Sequence, residues 1–274
     1  MHVRKYSFFS LIFITLLLTQ QPSFAARTKD PRFVPIAVKE VQRFSSNLPL
    51  GSSQHGIVIS RAYNSGIPDV AYRFYTRRWQ KQPDNARTNY YRGAAAHSYY
   101  KYAASHKIVK TGKMPLPKGI DLLSVANESL QRAIEISPRY ATAHAFYGRI
   151  LYEGDKTREE KGLRLIQKAL VLDPKSAYVR AVLGSAYARP YGSAYSPQQA
   201  EEELKTSMQL DKTSSYPHYV LIRLYREQGR YAEANKELTI YTSLVSDKAA
   251  RQATAFFKPL IDKGLANSSK KQTS

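Results

Sequence analysis

The chain has 274 residues, and its 42 Lys and Arg against 21 Asp and Glu give a formal net charge of +21. This length suffices for one or two domains, and a hydrophobic content of 43% argues against a disordered chain. Because there is no cysteine, disulfides, cysteine-ligated zinc, iron–sulfur clusters, a thiol nucleophile and a lipid-modified N-terminal cysteine are excluded. The aromatic residues are mostly tyrosine, with 21 Tyr against 10 Phe and 1 Trp.

Residues 1–25 have the features of a signal peptide. Basic Arg4 and Lys5 precede an apolar run over residues 8–18, and small residues stand at Ser23 and Ala25. The run is shorter than the ~20 apolar residues that a membrane-spanning helix needs, which favours cleavage after Ala25. We therefore expect an exported protein, either periplasmic or secreted. A membrane anchor formed by an uncleaved N-terminal segment is the alternative.

A short phrase recurs along the rest of the chain. Ala-Leu-Val-Leu-Asp-Pro at 169–174 returns as Ala-Ile-Glu-Ile-Ser-Pro at 133–138, with weaker copies at 207–211 and 78–83. A small residue stands seven positions before each phrase, and these residues are Gly162, Ala126, Ala200 and Ala71. Further upstream come Tyr147-Gly148-x-x-Leu151 and Leu183-Gly184-x-x-Tyr187. The spacing of the apolar positions is helical, and a proline closes the two clearest phrases.

This pattern resembles the tetratricopeptide repeat (TPR), a helix–turn–helix unit of 34 residues. We identify five units over residues 52–248. The units start near Ser52, Ala86, Ala141, Ala177 and Ser215. The second is lengthened by a longer first helix over 94–107 and a loop over 111–118. The resemblance implies an all-α fold, a right-handed α-α superhelix (TPR solenoid) with short capping helices, in which glycines such as Gly148 and Gly184 let paired helices approach closely.

The segments that flank the repeats are predicted to cap them. Residues 26–51 form an N-terminal segment with a cap helix over 35–44. A C-terminal cap helix over 249–265, kinked at Pro259, has an apolar stripe. The stripe comprises Ala253, Phe256, Phe257, Leu260 and Ile261. Residues 266–274 have too little apolar content to order and are predicted to be a disordered tail.

No motif in the sequence indicates catalysis. There is no Gly-rich phosphate loop, no H-E-x-x-H and no nucleophile elbow, so we expect a protein that is not an enzyme and has no cofactor and no metal. Three of the six His residues, His55, His144 and His218, occupy the fourth position of their units. Recurrence at one repeat position favours a packing role over a metal site.

The resemblance also implies a binding groove, because in this family the first helix of each unit lines the concave face. The residues at the inward positions are Arg87, Tyr90, His97, Arg149, Tyr152, Tyr178, Arg189, Tyr216, Tyr219, Arg223 and Arg226. Tyr and Arg are the residue types in which binding energy concentrates at interfaces. We expect a protein or peptide segment, acidic in character, to bind there. The Lys and Asn pair with which some family members hold a C-terminal carboxylate is absent from the corresponding positions.

A basic, aromatic tract over residues 70–120 suggests an alternative function. It contains one acid, Asp84, and a basic patch within it comprises Arg73, Arg77, Arg78, Lys81, Lys101, Lys107, Lys110, Lys113 and Lys118. Basic residues among aromatics are typical of nucleic-acid surfaces, but the export signal argues against that partner. An anionic surface polymer or the headgroups of membrane lipids would suit an exported basic face. A basic face that is merely solvated is the remaining interpretation.

The first prediction concerns processing. Cleavage after Ala25 leaves Ala26 as the first residue of the exported protein. Intact-mass spectrometry of the exported protein measures this directly. A mass that includes residues 1–25 would contradict it.

Overall fold

A computed structural model describes residues 54–64, 66–105, 120–245 and 247–272, and in these ranges all regular secondary structure is helical. The α-helices are α1 Gln54–Asn64, α2 Pro68–Lys81, α3 Ala86–Ser105, α4 Leu122–Ile136, α5 Ala141–Gly154, α6 Glu159–Leu172, α7 Ala177–Tyr187, α8 Pro197–Leu210, α9 Tyr216–Glu227, α10 Tyr231–Leu244 and α11 Asp247–Gln272. A 3₁₀ turn, Lys156–Arg158, precedes α6. The predicted signal peptide, N-terminal cap helix and 111–118 loop lie outside the described residues. None of the described helices is both long and apolar enough to cross a bilayer.

The helices pair in the order that the repeats predict. Helices α3, α5 and α7 begin at Ala86, Ala141 and Ala177, the residues at which three of the units were predicted to start. The side chain of Ser176 accepts a hydrogen bond from the Val179 amide at the start of α7, as a helix cap does. The recurring phrase forms the ends of α2, α4, α6 and α8 and the turns that follow these helices. The repeated sequence thus specifies both the helices and their connections.

The described residues divide into two compact units between Tyr147 and Gly148, within α5. In the unit before this point, much of the core consists of tyrosine. In the described part of this unit, the buried tyrosines are Tyr72, Tyr75, Tyr91, Tyr99 and Tyr147. Such rings contribute large apolar areas, and their hydroxyls need partners when buried. Tyr75 meets this requirement through a 2.9 Å hydrogen bond between its hydroxyl and Nδ1 of His55.

In the unit after this point, α7–α11 pack around an aliphatic core. Its most deeply buried large residues are Leu204, Leu221, Ile222, Leu224 and Ile261. The first helices of neighbouring hairpins, α7 and α9, are also in contact, and α11 packs on α10. Successive hairpins therefore cover each other's apolar faces, because one hairpin alone cannot bury its own.

Helix α11 differs from the predicted cap helix in two respects. Phe257 and Ile261 are buried and Ala253 is partly buried, but Phe256 is 61% and Leu260 42% exposed. Side chains four residues apart share a helix face, so only one side of the predicted stripe packs inward. The helix also continues to Gln272, beyond the predicted end at residue 265. The hydroxyl of Ser268 bonds the Gly264 carbonyl one turn back, and the predicted tail boundary is corrected accordingly.

Glycine allows the paired helices to approach closely, as predicted. A Cβ atom at Gly148 on α5 would lie 2.6 Å from the carbonyl oxygen of Gly162 on α6. At Gly184 on α7, a Cβ would lie 2.7 Å from Cγ of Leu204 on α8 and 3.2 Å from the Ala200 carbonyl. Real Cβ atoms do not occupy such positions, so any larger residue must push the two helices apart.

The second prediction tests this close approach. Gly184→Leu should lower the free energy of unfolding by ~1–3 kcal/mol, because the larger side chain overpacks the α7–α8 contact. Thermal or denaturant unfolding followed by circular dichroism measures the change. Gly154→Leu is the matched control, since nothing lies within 4 Å of a Cβ there, and it should change stability by less than about 0.5 kcal/mol. Equal stability of the two variants would contradict the packing.

Candidate functional site

The three equivalent histidines are buried packing residues, which confirms the prediction for their shared position. His55 bonds the Tyr75 hydroxyl, His144 Nε2 lies 2.9 Å from the Pro138 carbonyl oxygen, and His218 Nδ1 lies 2.6 Å from a Glu237 carboxylate oxygen. Each histidine thus contacts a residue of its own hairpin or of the turn that precedes it. Among the described residues, no cluster of three or more His, Asp or Glu side chains could hold a metal ion.

The predicted groove residues on α3 belong to the compact unit that ends at Tyr147. Arg87 is exposed in the first turn of α3, whereas Tyr90 and His97 are half-buried. The Tyr90 ring contacts Phe146, with ring centroids 5.9 Å apart, and His97 contacts the same ring at 5.7 Å. Tyr90 and His97 therefore pack against one aromatic side chain of α5, while Arg87 is available to solvent.

Two predicted groove residues in the other unit hold a loop instead. Tyr152 is 1% exposed, so its assignment to the groove surface is wrong. Its hydroxyl accepts a 3.2 Å hydrogen bond from the Ala194 amide, and its carbonyl oxygen accepts one from Arg189. Arg189 also lies 3.3 Å from a carboxylate oxygen of the buried Glu159, whose other oxygen accepts from the Ser193 amide. The structure gives Arg189 this loop contact in place of the open groove position that was predicted.

The loop over residues 188–196 is the physical reason for this correction. It connects α7 to α8 and makes the fourth unit longer than the 34-residue repeat, so extra chain covers Tyr152. At its tip the Tyr191 side chain is 92% exposed, with a left-handed backbone φ of 62°. The repeat pattern did not identify Tyr191 as an exposed side chain, because a residue in an insertion has no equivalent position in the repeat. The length of the fourth unit, which exceeds 34 residues, was the feature of the sequence that indicated an insertion.

Three other predicted groove residues come together from three successive first helices. Arg149 lies on α5, Tyr178 on α7 and Tyr216 on α9, and the Arg149 guanidinium carbon is 5.9 Å from the centre of the Tyr216 ring. The hydroxyl of Tyr178 is buried and has no hydrogen-bond partner in the described part of the chain. A buried donor left in this state costs about 1–3 kcal/mol. We call Arg149, Tyr178 and Tyr216 the Arg–Tyr cluster.

The charges in the Arg–Tyr cluster are well defined at neutral pH. Burial raises the pKa of Tyr178 to about 12, although the Arg149 guanidinium acts in the opposite direction. Burial lowers the pKa of Arg149, but electrostatic interactions with Tyr178, Tyr216 and the Glu153 carboxylate, together with a hydrogen bond to the Tyr216 side chain, outweigh burial and hold the pKa above its ordinary value. The cluster therefore presents a neutral hydroxyl donor beside a permanent cation, and the Glu153 carboxylate interacts electrostatically with both.

The last three predicted groove residues lie on α9. Tyr219 is half-buried, with its ring centroid 5.9 Å from that of Tyr241 and 5.8 Å from that of Phe257. The Arg226 guanidinium lies over the same Phe257 ring at 6.0 Å, whereas Arg223 is exposed. Tyr219 and Arg226 thus contribute to the packing of α11, and Arg223 extends into solvent.

The described part of the basic patch lies on α2 and α3. Arg73 is paired with Asp69 at 2.5 Å, and Arg78 lies over the Phe74 ring at 5.6 Å. Three further patch residues, Arg77, Lys81 and Lys101, are exposed. The remaining predicted members, Lys107, Lys110, Lys113 and Lys118, lie outside the described residues.

Comparison with solved structures identifies the fold. The tetratricopeptide-repeat protein TTC0263 of Thermus thermophilus matches 76% of this chain and 93% of its own, with a TM-score of 0.50 and 19% sequence identity. The chain has the tetratricopeptide-repeat fold. The predicted fold class, an all-α TPR solenoid, and the resemblance from which it came are confirmed.

Two further solved TPR-like structures match with lower scores. MamA of Desulfovibrio magneticus RS-1 has a TM-score of 0.40 and 16% identity, over 72% of this chain and 97% of its own. Pseudomonas aeruginosa PilF has a TM-score of 0.44 and 16% identity, over 84% and 92% respectively. The sequence matches no protein-family model and no curated protein.

The third prediction tests how the 188–196 loop is held. Tyr152→Phe removes the oxygen that accepts the Ala194 amide, so this amide should exchange faster with solvent and the protein should lose ~0.5–1.5 kcal/mol of stability. Hydrogen exchange followed by NMR measures the amide directly. Tyr195→Phe, in the same loop but 43% exposed, is the control and should leave exchange at Ala194 unchanged. Unaltered exchange in Tyr152→Phe would contradict the anchoring role.

Proposed function

We propose that the protein is an exported, non-enzymatic scaffold that binds a segment of another protein along the first helices of its repeats. The observation that carries this proposal is the Arg–Tyr cluster, in which α5, α7 and α9 each contribute one side chain. The three side chains lie on the first helices of three successive units, and together they form a surface that no single hairpin provides. Repeats of this fold commonly present such surfaces to extended partners.

The chemistry of the surface favours a protein partner. Tyrosine gives rigid, amphipathic contact area at a small cost in conformational entropy, and arginine gives forked hydrogen bonds. Residue Arg223, exposed on α9 in the same compact unit, adds a cation that a partner can reach. No catalytic group is needed for this activity, since binding is non-covalent.

The partner is acidic under this proposal. The chain carries a net charge of +21, and a field of this sign attracts acidic segments and speeds their association. The same field slows the approach of basic proteins. Charge therefore restricts the class of partner before any contact is made.

An anionic surface polymer or lipid headgroups binding the basic patch is the second candidate function. It is favoured by one specific observation: Asp84, the single acid of the 70–120 tract, is bonded by Arg132 at 3.1 Å. Because Asp84 is paired with Arg132, it does not neutralise the exposed cations of the tract itself, such as Arg77, Lys81 and Lys101. Binding of this kind should fall steeply with salt, because it depends on long-range charge attraction.

The fourth prediction separates the two candidates by a matched pair of charge reversals. Arg223→Glu and Arg77→Glu each replace an exposed helical arginine, on α9 and α2 respectively. The α9 variant should weaken capture of an acidic protein partner about tenfold, which corresponds to ~1.4 kcal/mol, and the α2 variant should not. Quantitative mass spectrometry of proteins captured from the native host, at low and at physiological salt, measures the effect.

The opposite pattern would replace the first proposal by the second. If Arg77→Glu abolishes binding to vesicles that contain an anionic phospholipid, and Arg223→Glu captures the same proteins as the parent chain, the basic patch carries the function. Circular dichroism of both variants confirms that the helices remain intact.

A further inference from the structure

The Arg–Tyr cluster has the composition of a site for a small anion. Tyr178 and Tyr216 occupy the same position in neighbouring units, on α7 and α9, and Arg149 reaches them from α5. Within the cluster the Arg149 guanidinium interacts electrostatically with both tyrosines. The arrangement places hydroxyl donors and a forked cationic donor within one small region of the first-helix surface.

The Tyr178 hydroxyl is the observation that points to a ligand. Its oxygen is buried, yet it has no hydrogen-bond partner among the residues that the structure describes. Almost all buried polar side-chain atoms in folded proteins have such a partner, so an exception requires an explanation. Because the hydroxyl is a neutral donor beside a cation, the group that would best satisfy it is an anionic acceptor.

We propose that Arg149, Tyr178 and Tyr216 form a subsite for one carboxylate group of the partner segment. This inference rests on the proposed function and names the chemistry that the surface recognises. The guanidinium would donate to the carboxylate through its fork, and the Tyr178 hydroxyl would donate one further hydrogen bond. The exposed Glu153 carboxylate also interacts with Arg149 and Tyr178. The positive charge at the subsite is therefore at most one, which suits the single charge of a carboxylate better than the double charge of a phosphate.

The subsite explains why the protein keeps a buried hydroxyl that destabilises it. In the free protein the Tyr178 donor is unsatisfied, and in the complex it is paired. Stability and binding should therefore respond to its removal in opposite directions. A hydroxyl with a purely structural role would instead contribute to both in the same direction.

The test uses purified protein and fluorescent Ser/Gly peptides of equal length. One peptide carries Glu residues and an amidated C-terminus, a second has no Glu and a free C-terminal carboxylate, and a third is neutral and amidated. The parent protein should bind a carboxylate peptide and not the neutral one. The preferred peptide shows whether the carboxylate comes from an acidic side chain or from a chain end.

Tyr178→Phe is the decisive variant, because it removes only the hydroxyl. We expect it to weaken binding of the preferred peptide about tenfold while its melting temperature equals or exceeds that of the parent protein. Tyr187→Phe, nine residues further along α7 and so about half a turn away around the helix axis, is the matched control and should leave binding unchanged.

Several results would overturn the subsite. One is peptide binding by Tyr178→Phe that is as tight as binding by the parent protein. Another is a lower melting temperature for this variant, because that would mean that the hydroxyl is already partnered. Equal binding of the neutral peptide, or failure of both carboxylate peptides to bind, would also overturn it. Tighter binding of a phosphoserine peptide would reassign the cluster to phosphate. If Tyr178→Phe captures the partner normally but Arg223→Glu does not, the groove stands without the subsite.

Discussion

Close contact between the two helices of each hairpin is the constraint on which the rest of the structure depends. At Gly148 and Gly162 the facing backbones leave no room for a Cβ atom, and at Gly184 the side chain of Leu204 fills the space instead. With the second helix so close, the apolar side of the hairpin can be covered only by the next hairpin along the chain. The first helices are thereby brought next to one another, as α7 is to α9, and side chains from different repeats can share one ligand.

The sequence predicts most of this fold because its signals are local and repeated. The first four units each carry a small residue seven positions before a copy of the closing phrase, and the starts of α3, α5 and α7 could be read to the residue. The loop over 188–196 could not be predicted, since its contacts with Glu159 and Tyr152 join residues more than thirty positions apart. An insertion of this kind buries a residue such as Tyr152, although the repeat pattern at that position is unchanged.

Tyrosine shows why the candidate site was harder to predict than the fold. Tyr72, Tyr75, Tyr91 and Tyr99 are core residues of the first compact unit, whereas Tyr178 and Tyr216 meet an arginine on a first-helix surface in the second. An amphipathic side chain suits both settings, and the sequence does not distinguish them. Only packing tells which hydroxyl is already satisfied, as that of Tyr75 is by His55, and which is not.

The distribution of charge adds a long-range contribution to these local contacts. Many acids in the described ranges are already engaged by basic residues, as Glu201 is by Arg230 and Lys205, and Glu203 by Arg180. The net charge of +21 already subtracts every acid, so the field around the protein stays positive. Such a field guides an acidic partner from a distance and weakens as salt is added, whereas buried hydrogen-bond donors act at contact and are screened much less. Under the proposed function, capture and retention of a partner should thus depend on different residues, with exposed arginines governing the first and the Arg–Tyr cluster the second.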